Sequence, residues 1–259
     1  MARSADARVA DWVQRALGRV RPEDLERVSR AMLSSIDHAS RHRWDAAKER
    51  AASVPGELRP ERIGAISAMF ARELGAAGAA AGAAAAAPMV GTAATLAATG
   101  AELAWFTGRA GDLILTIAAI HGRPDPTVDE RRAWVLAVLL YGSSARDEFA
   151  RTIQQASTGV LPTLDRQLPV ATLQTANRVM SRLFVRRYGT RRGLVALGRA
   201  LPIGIGAAIG GTANYMTVRK LARDADAFFA RLPYSAIDVD STDVTGRELP
   251  RSPGVGHPA

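Results

Sequence analysis

The chain has 259 residues, enough to bury a substantial core, and its 47% hydrophobic and 23% charged residues exclude wholesale disorder. It contains no cysteine, which excludes disulfides, thiolate zinc sites, iron–sulfur clusters and cysteine nucleophiles. Thirty-four cations against 25 acids leave a net charge of +9, and aromatics make up only 5%, so a core of Ala, Val, Leu and Ile with close backbone approach is expected.

Helical periodicity dominates, and strand signals are almost absent. Val9, Trp12, Val13, Ala16, Leu17 and Val20 form one apolar stripe. The N-terminus has no apolar h-region of a secretory signal, so a cytoplasmic start is expected. Pro22, Glu23 and Asp24 suit a helix start, and Leu25, Val28, Met32, Ile36 and Ala39 carry that helix to about residue 52. Pro55 and Gly56 break the chain before a helix from Pro60, with Ile63, Ile66, Phe70 and Leu74, that runs through an Ala/Gly tract to Pro88. The next helix is predicted from Thr92 to His121, capped by Gly122. Thr127 and Glu130 form a capping box opening a helix to about Ala156. Residues 163–188 and 191–200 read as further helices, and a last one runs from Pro202 to about Leu232. Beyond Pro233 little can be buried, and a disordered tail is expected over 233–259. The fold class is all-α: a bundle of about seven or eight helices, with N-terminal helices over 1–59 and a main helical domain over 60–232.

Two stretches carry no charge, residues 74–101 and 200–218. Each is long enough for a bilayer, but Gly, Ala, Thr and Asn dilute the Leu and Ile that drive insertion. Gly78 and Gly82 in the first, and Gly206 and Gly210 in the second, are spaced for close helix approach, with Asn214 continuing the second row. Packing inside the bundle is the expected use of both faces.

Chemical motifs are few. Gly204 to Gly210 lacks the preceding strand of a dinucleotide site, and there is no Walker A, GxSxG or HExxH motif. His38 and His42, flanked by Asp37 and Asp45, have metal-ligand spacing but read as a solvated helix face. Glu102 and Asp112 are the acids of an apolar run, and ten residues turn a helix by roughly 280°, so they make a poor acid/base pair. Glu102 is expected to pair with Arg109, seven residues on. No cofactor, metal or catalytic residue is expected, although a pocket near Glu102, Asp112 and Asn214 is the place an enzyme reading would put its site.

The charge excess sits in residues 166–223, which hold 11 cations and no acid: Arg166, Arg178, Arg182, Arg186, Arg187, Arg191, Arg192, Arg199, Arg219, Lys220 and Arg223. Such a block predicts one polyanion-facing side, with three or four of its cations paired to acids elsewhere.

Three stretches resemble the EcsC family, bacterial helical proteins of poorly defined function. They are DLILTIAAIHG (112–122) with the following PDPTVDERR and AWVLAVLLYG, the PIGIGAAIGG run ending in Asn214-Tyr215, and Ala222 to Arg231 with Phe228 and Phe229. The resemblance implies a helical fold and no assigned catalytic residue. The family's name, from a gene found beside that of an ABC transporter, favours work at the cytoplasmic membrane, with a transporter as one candidate membrane-protein partner. The expected function is thus non-enzymatic: a cytoplasmic protein that docks peripherally on the inner face of the plasma membrane, on anionic lipid or a membrane protein. Arg178, Arg182, Arg186, Arg187, Arg191, Arg192 and Arg199 would make the contact. Nucleic acid is the alternative partner for the same patch.

Overall fold

The computed structural model describes residues 22–85, 92–157, 168–190 and 207–232. The elements are α1 (Pro22–His42), α2 (Trp44–Ser53), α3 (Arg59–Ala85), α4 (Thr92–Ile120), α5 (Val128–Tyr141), a 3-10 turn (Gly142–Ser144), α6 (Ala145–Ala156), α7 (Val170–Tyr188) and α8 (Ala207–Arg231). No strand occurs among the described residues, and the fold is the expected all-α bundle. The expected helices at 9–20 and 191–200 and the expected tail at 233–259 lie outside the described residues.

Local chemistry explains most boundaries. Gly56, at φ +126°, ends the chain reversal before α3, and only glycine adopts that conformation at little cost. Gly122 follows α4 at φ +68°. At the start of α5 the Thr127 side chain accepts from the Glu130 N–H at 3.2 Å, and the Thr127 N–H donates to the Glu130 carboxylate at 2.7 Å. The expected capping box is therefore formed.

Two helices expected to be continuous are broken. The stripe from Leu25 does not run to residue 52: it stops at His42, and Arg43 takes φ −111° and ψ 5° before α2 begins. The break turns Trp44 inward to 4% exposure, where its indole Nε1 donates to Asp125 at 2.9 Å. The helix opened by Thr127 likewise stops at Tyr141, where Gly142 takes φ +56°. A Cβ on Gly142 would sit 3.1 Å from the Asp224 carboxylate, so the packing of α8 also favours glycine there.

The core centres on α4, which touches α1, α2, α3, α5 and α8. Leu113, Ile114, Leu115, Ile117 and Ala118 are fully buried, so this helix is shielded all round rather than along one stripe. Full burial contributes about 1.5–3 kcal/mol per large aliphatic side chain. Gly100–Ile120 is long and apolar enough to cross a membrane, yet 72% of it is buried among the other helices. One hydrophobic cluster joins side chains from every helix, from Leu25 to Phe229.

Helices α3 and α8, which contain parts of the two charge-free stretches, form the most extensive helix pair. Gly78 and Gly82 lie on α3 and Gly210 and Asn214 on α8, while Gly206 lies outside the described residues. A second close approach does not follow four-residue spacing. On α4, a Cβ at Gly100 would meet Val28 at 3.0 Å, one at Gly108 would meet Ser35 at 3.5 Å, and one at Gly111 would meet Ala39 at 3.2 Å. Offsets of eight and eleven residues also return to one helix face, and they let α1 lie against α4.

Candidate functional site

Helix α7 is amphipathic. Thr172, Leu173, Ala176, Asn177, Met180, Phe184 and Tyr188 are buried against α5 and α6. Asn177 Nδ2 donates to the Asp129 carbonyl at 2.9 Å, and Tyr188 donates its hydroxyl to the Leu139 carbonyl at 3.0 Å. These anchors fix which face points outward. Along that outer face Val170, Gln174, Arg178, Arg182 and Arg186 follow one another at four-residue spacing, all exposed. Arg178 to Arg186 spans about 12 Å at 1.5 Å per residue. Leu183, 39% exposed, and Arg187 stand in the adjoining row.

Among the described residues none of Arg178, Arg182, Arg186 and Arg187 forms an ion pair. Arg178 makes a long hydrogen bond of 3.4 Å to Thr175, and Arg187 donates to the Leu140 carbonyl at 2.7 Å. Helix α8 carries exposed cations of its own. Arg219 lies over the Tyr215 ring at 5.5 Å and donates to its hydroxyl at 2.8 Å, beside Met216 at 68% exposure, and Arg223 is exposed. Of the block's described cations only Lys220 meets an acid, Asp224 at 2.5 Å. Two acids of the neighbouring α6 have local partners: Glu148 binds Arg151 and Asp147 binds Arg146. Arg166, Arg191, Arg192 and Arg199 lie outside the described residues.

A contrasting arginine cluster lies at the junction of α1, α2 and α4. The Asp112 carboxylate is 1% exposed and accepts two nearly parallel bonds from Arg43, at 3.0 and 2.7 Å, and a third from Arg109 at 2.5 Å. Arg50 lies 3.8 Å from the same carboxylate and donates to Thr116 at 3.0 Å. Arg109 reaches on to Glu73 and stacks over Phe70 at 4.7 Å. The Asp112 hydrogen bond raises the Arg43 pKa, whereas burial lowers that of Arg50. Both oxygens of Asp112 are thus taken up by protein cations, as a structural clamp requires.

The expected Glu102–Arg109 pair does not form. Arg109 turns to Asp112, one helical turn on, and to Glu73 of α3, and seven residues back along α4 is about 10 Å in the other direction. Glu102 is half-buried without an ion pair among the described residues, and desolvation raises its carboxyl pKa. Glu102 and Asp112 therefore belong to different surroundings. His38 and His42 are exposed with ring centroids 5.0 Å apart, while Asp37 binds Arg132 and Asp45 binds Lys48. No group of three metal-ligating side chains occurs among the described residues.

Sequence reasoning passed over His121 and Arg123. His121 is buried at the end of α4, with Nε2 2.8 Å from Asp226, and burial lowers its pKa despite that carboxylate. Arg123 donates to the Phe229 and Leu232 carbonyls at 2.6 and 2.5 Å, satisfying the C-terminus of α8 and its dipole. Their neighbours in space lie more than a hundred residues away, so spacing offered no signal. No family model, curated protein or solved structure matches the chain.

Proposed function

We propose that the protein docks reversibly on an anionic membrane surface through the outer face of α7, in a binding rather than a catalytic role. The observation that carries this reading is the exposed row of Arg178, Arg182 and Arg186, with no carboxylate partner among the described residues. Each cation close to an anionic surface contributes about 1 kcal/mol, and exposed Leu183 and Val170 on the same helix add apolar contact. On α7 the exposed apolar neighbours of the arginines are aliphatic, Val170 and Leu183, rather than aromatics for base stacking, which favours lipid over nucleic acid. The EcsC resemblance, whose family is named for a gene beside that of an ABC transporter, agrees with a location at the inner face of the plasma membrane.

The test is co-sedimentation with vesicles. Protein should pellet with phosphatidylglycerol-rich vesicles and not with pure phosphatidylcholine. The triple change R178E/R182E/R186E should abolish pelleting while leaving the circular dichroism melt intact. A few hundred millimolar salt should weaken binding and leave an apolar remainder. Binding to DNA with a steep log–log salt slope, and none to vesicles, would overturn the reading in favour of nucleic acid.

A further inference from the structure

A cleft of about 630 Å³ opens where the C-terminal end of α5 meets α7 and α8. That size lies within the span of about 300–1,000 Å³ usual for small-molecule sites. Its walls are apolar: Phe106, Leu139, Tyr141, Phe184 and Leu221 contribute side chains. Four charged residues line it, Glu148, Arg187, Lys220 and Asp224, and three of them are held in ion pairs. Lys220 is held by Asp224 at 2.5 Å, and Glu148 by Arg151 at 2.5 Å. Arg187 remains, with no carboxylate partner among the described residues, and one of its terminal nitrogens donates to the Leu140 carbonyl. A guanidinium carries five N–H donors, so Arg187 keeps donors for a second acceptor.

We propose that this cleft binds a single-chain amphiphile with an anionic head, its chain against the apolar walls and its head on Arg187. The apolar part of the lining favours a ligand with a chain to bury over a purely polar anion. Arg187, the lining cation without an ion pair among the described residues, selects an anionic head over a neutral one. Arg187 is also preorganised. Its bond to Leu140 and the neighbouring Tyr188–Leu139 bond tie the end of α7 to the end of α5, so the guanidinium is held at the cleft mouth. The proposal does not need the vesicle-docking reading, since a monomeric ligand can reach the cleft from solution.

Isothermal titration with laurate, kept below its micellar concentration, tests it on the full chain. Saturable binding of one laurate per chain is expected, with dodecanol at least tenfold weaker and inorganic phosphate weaker still. R187Q should reduce laurate affinity at least tenfold, whereas R187K, which keeps the charge and a donor for Leu140, should retain most of it. L221W should fill the cleft and block laurate, and T217F does the same from the next turn of α8 if the first variant folds poorly. R178E/R182E/R186E should bind laurate as the unaltered protein does, so failure of vesicle docking and failure of this proposal are separable. Absence of saturable laurate binding, or undiminished binding by R187Q, overturns the proposal.

Discussion

Arginine serves two opposite ends in this molecule. Around Asp112, guanidiniums from Arg43, Arg50 and Arg109 converge on one buried carboxylate, and their charge is used inside the fold. Along α7, three guanidiniums in one exposed row have no acid to meet among the described residues. The residue type is the same, and what differs is where the acids lie. A carboxylate buried at 1% exposure must be compensated, and it draws cations from distant helices. A helix that presents cations where no acid faces it leaves its charge for a partner. Counting arginines therefore says little until each is assigned a carboxylate.

The largest expected effect breaks the buried half of that contrast. Asp112→Asn removes the charge that Arg43, Arg50 and Arg109 surround, and breaking a buried pair costs about 3–5 kcal/mol. At about 2–4 °C per kcal/mol for a chain of this size, the melting temperature should fall by roughly 6–20 °C. A melt unchanged by this substitution would remove the structural role assigned to the cluster.

Next in size is the approach of α1 to α4, which holds Arg43 over Asp112. Gly111→Leu places a side chain where even a Cβ is 3.2 Å from Ala39, and overpacking of this kind costs typically about 1–3 kcal/mol. Gly64, with nothing within 4 Å of its would-be Cβ, provides the control. Gly64→Ala should stabilise by roughly 0.4–1 kcal/mol through helix propensity and the unfolded chain. Equal effects at the two glycines, read from parallel thermal melts, would show that the α1–α4 contact is looser than described.

Glu102 offers a smaller and pH-dependent effect, opposite in sign to that of a paired acid. Burial raises its carboxyl pKa, so the folded state holds the proton more tightly than the unfolded chain does. Its favourable contribution is complete below the unfolded value of about 4.3 and is lost as pH rises through the folded value. Glu102→Gln should therefore raise the melting temperature at pH 7 and change it little near pH 4. A loss of stability at pH 7 would reveal a cationic partner.

The smallest effect belongs to the exposed row. Replacing Arg178, Arg182 and Arg186 singly with Gln should shift stability by no more than about 0.5 kcal/mol each, as for surface positions without partners. Chemical denaturation of the three single variants measures this, and a shift well above that bound at any of them would assign that arginine a contact inside the fold.

Much of the architecture was legible from local pattern. The Thr127–Glu130 box, the turns at Gly56 and Gly122, and the apolar face of α8 from Val218 to Phe228 all depend on residues within a few positions of one another. The arginines of α7 were legible as a charge excess, whereas the exposed row of Arg178, Arg182 and Arg186 was recognised only once the buried face of α7 was known. The break at Arg43 was not legible, because its side chain is bound to Asp112, 69 residues on, whereas the positive φ of Gly142 is a local glycine signal that the reading of a helix to Ala156 passed over.

The sequence by itself determined the all-helical class, the caps and the position of the charge excess, since propensity, periodicity and composition act over one or two helical turns. Tertiary structure alone decided which charges are spent inside the protein. Arg109 chose Asp112 and Glu73 over Glu102, His121 met Asp226, and Arg187 was left at the mouth of a cleft. The physical reason is that Coulombic and hydrogen-bond energies depend on distance and burial in space, and neither quantity is a function of separation along the chain.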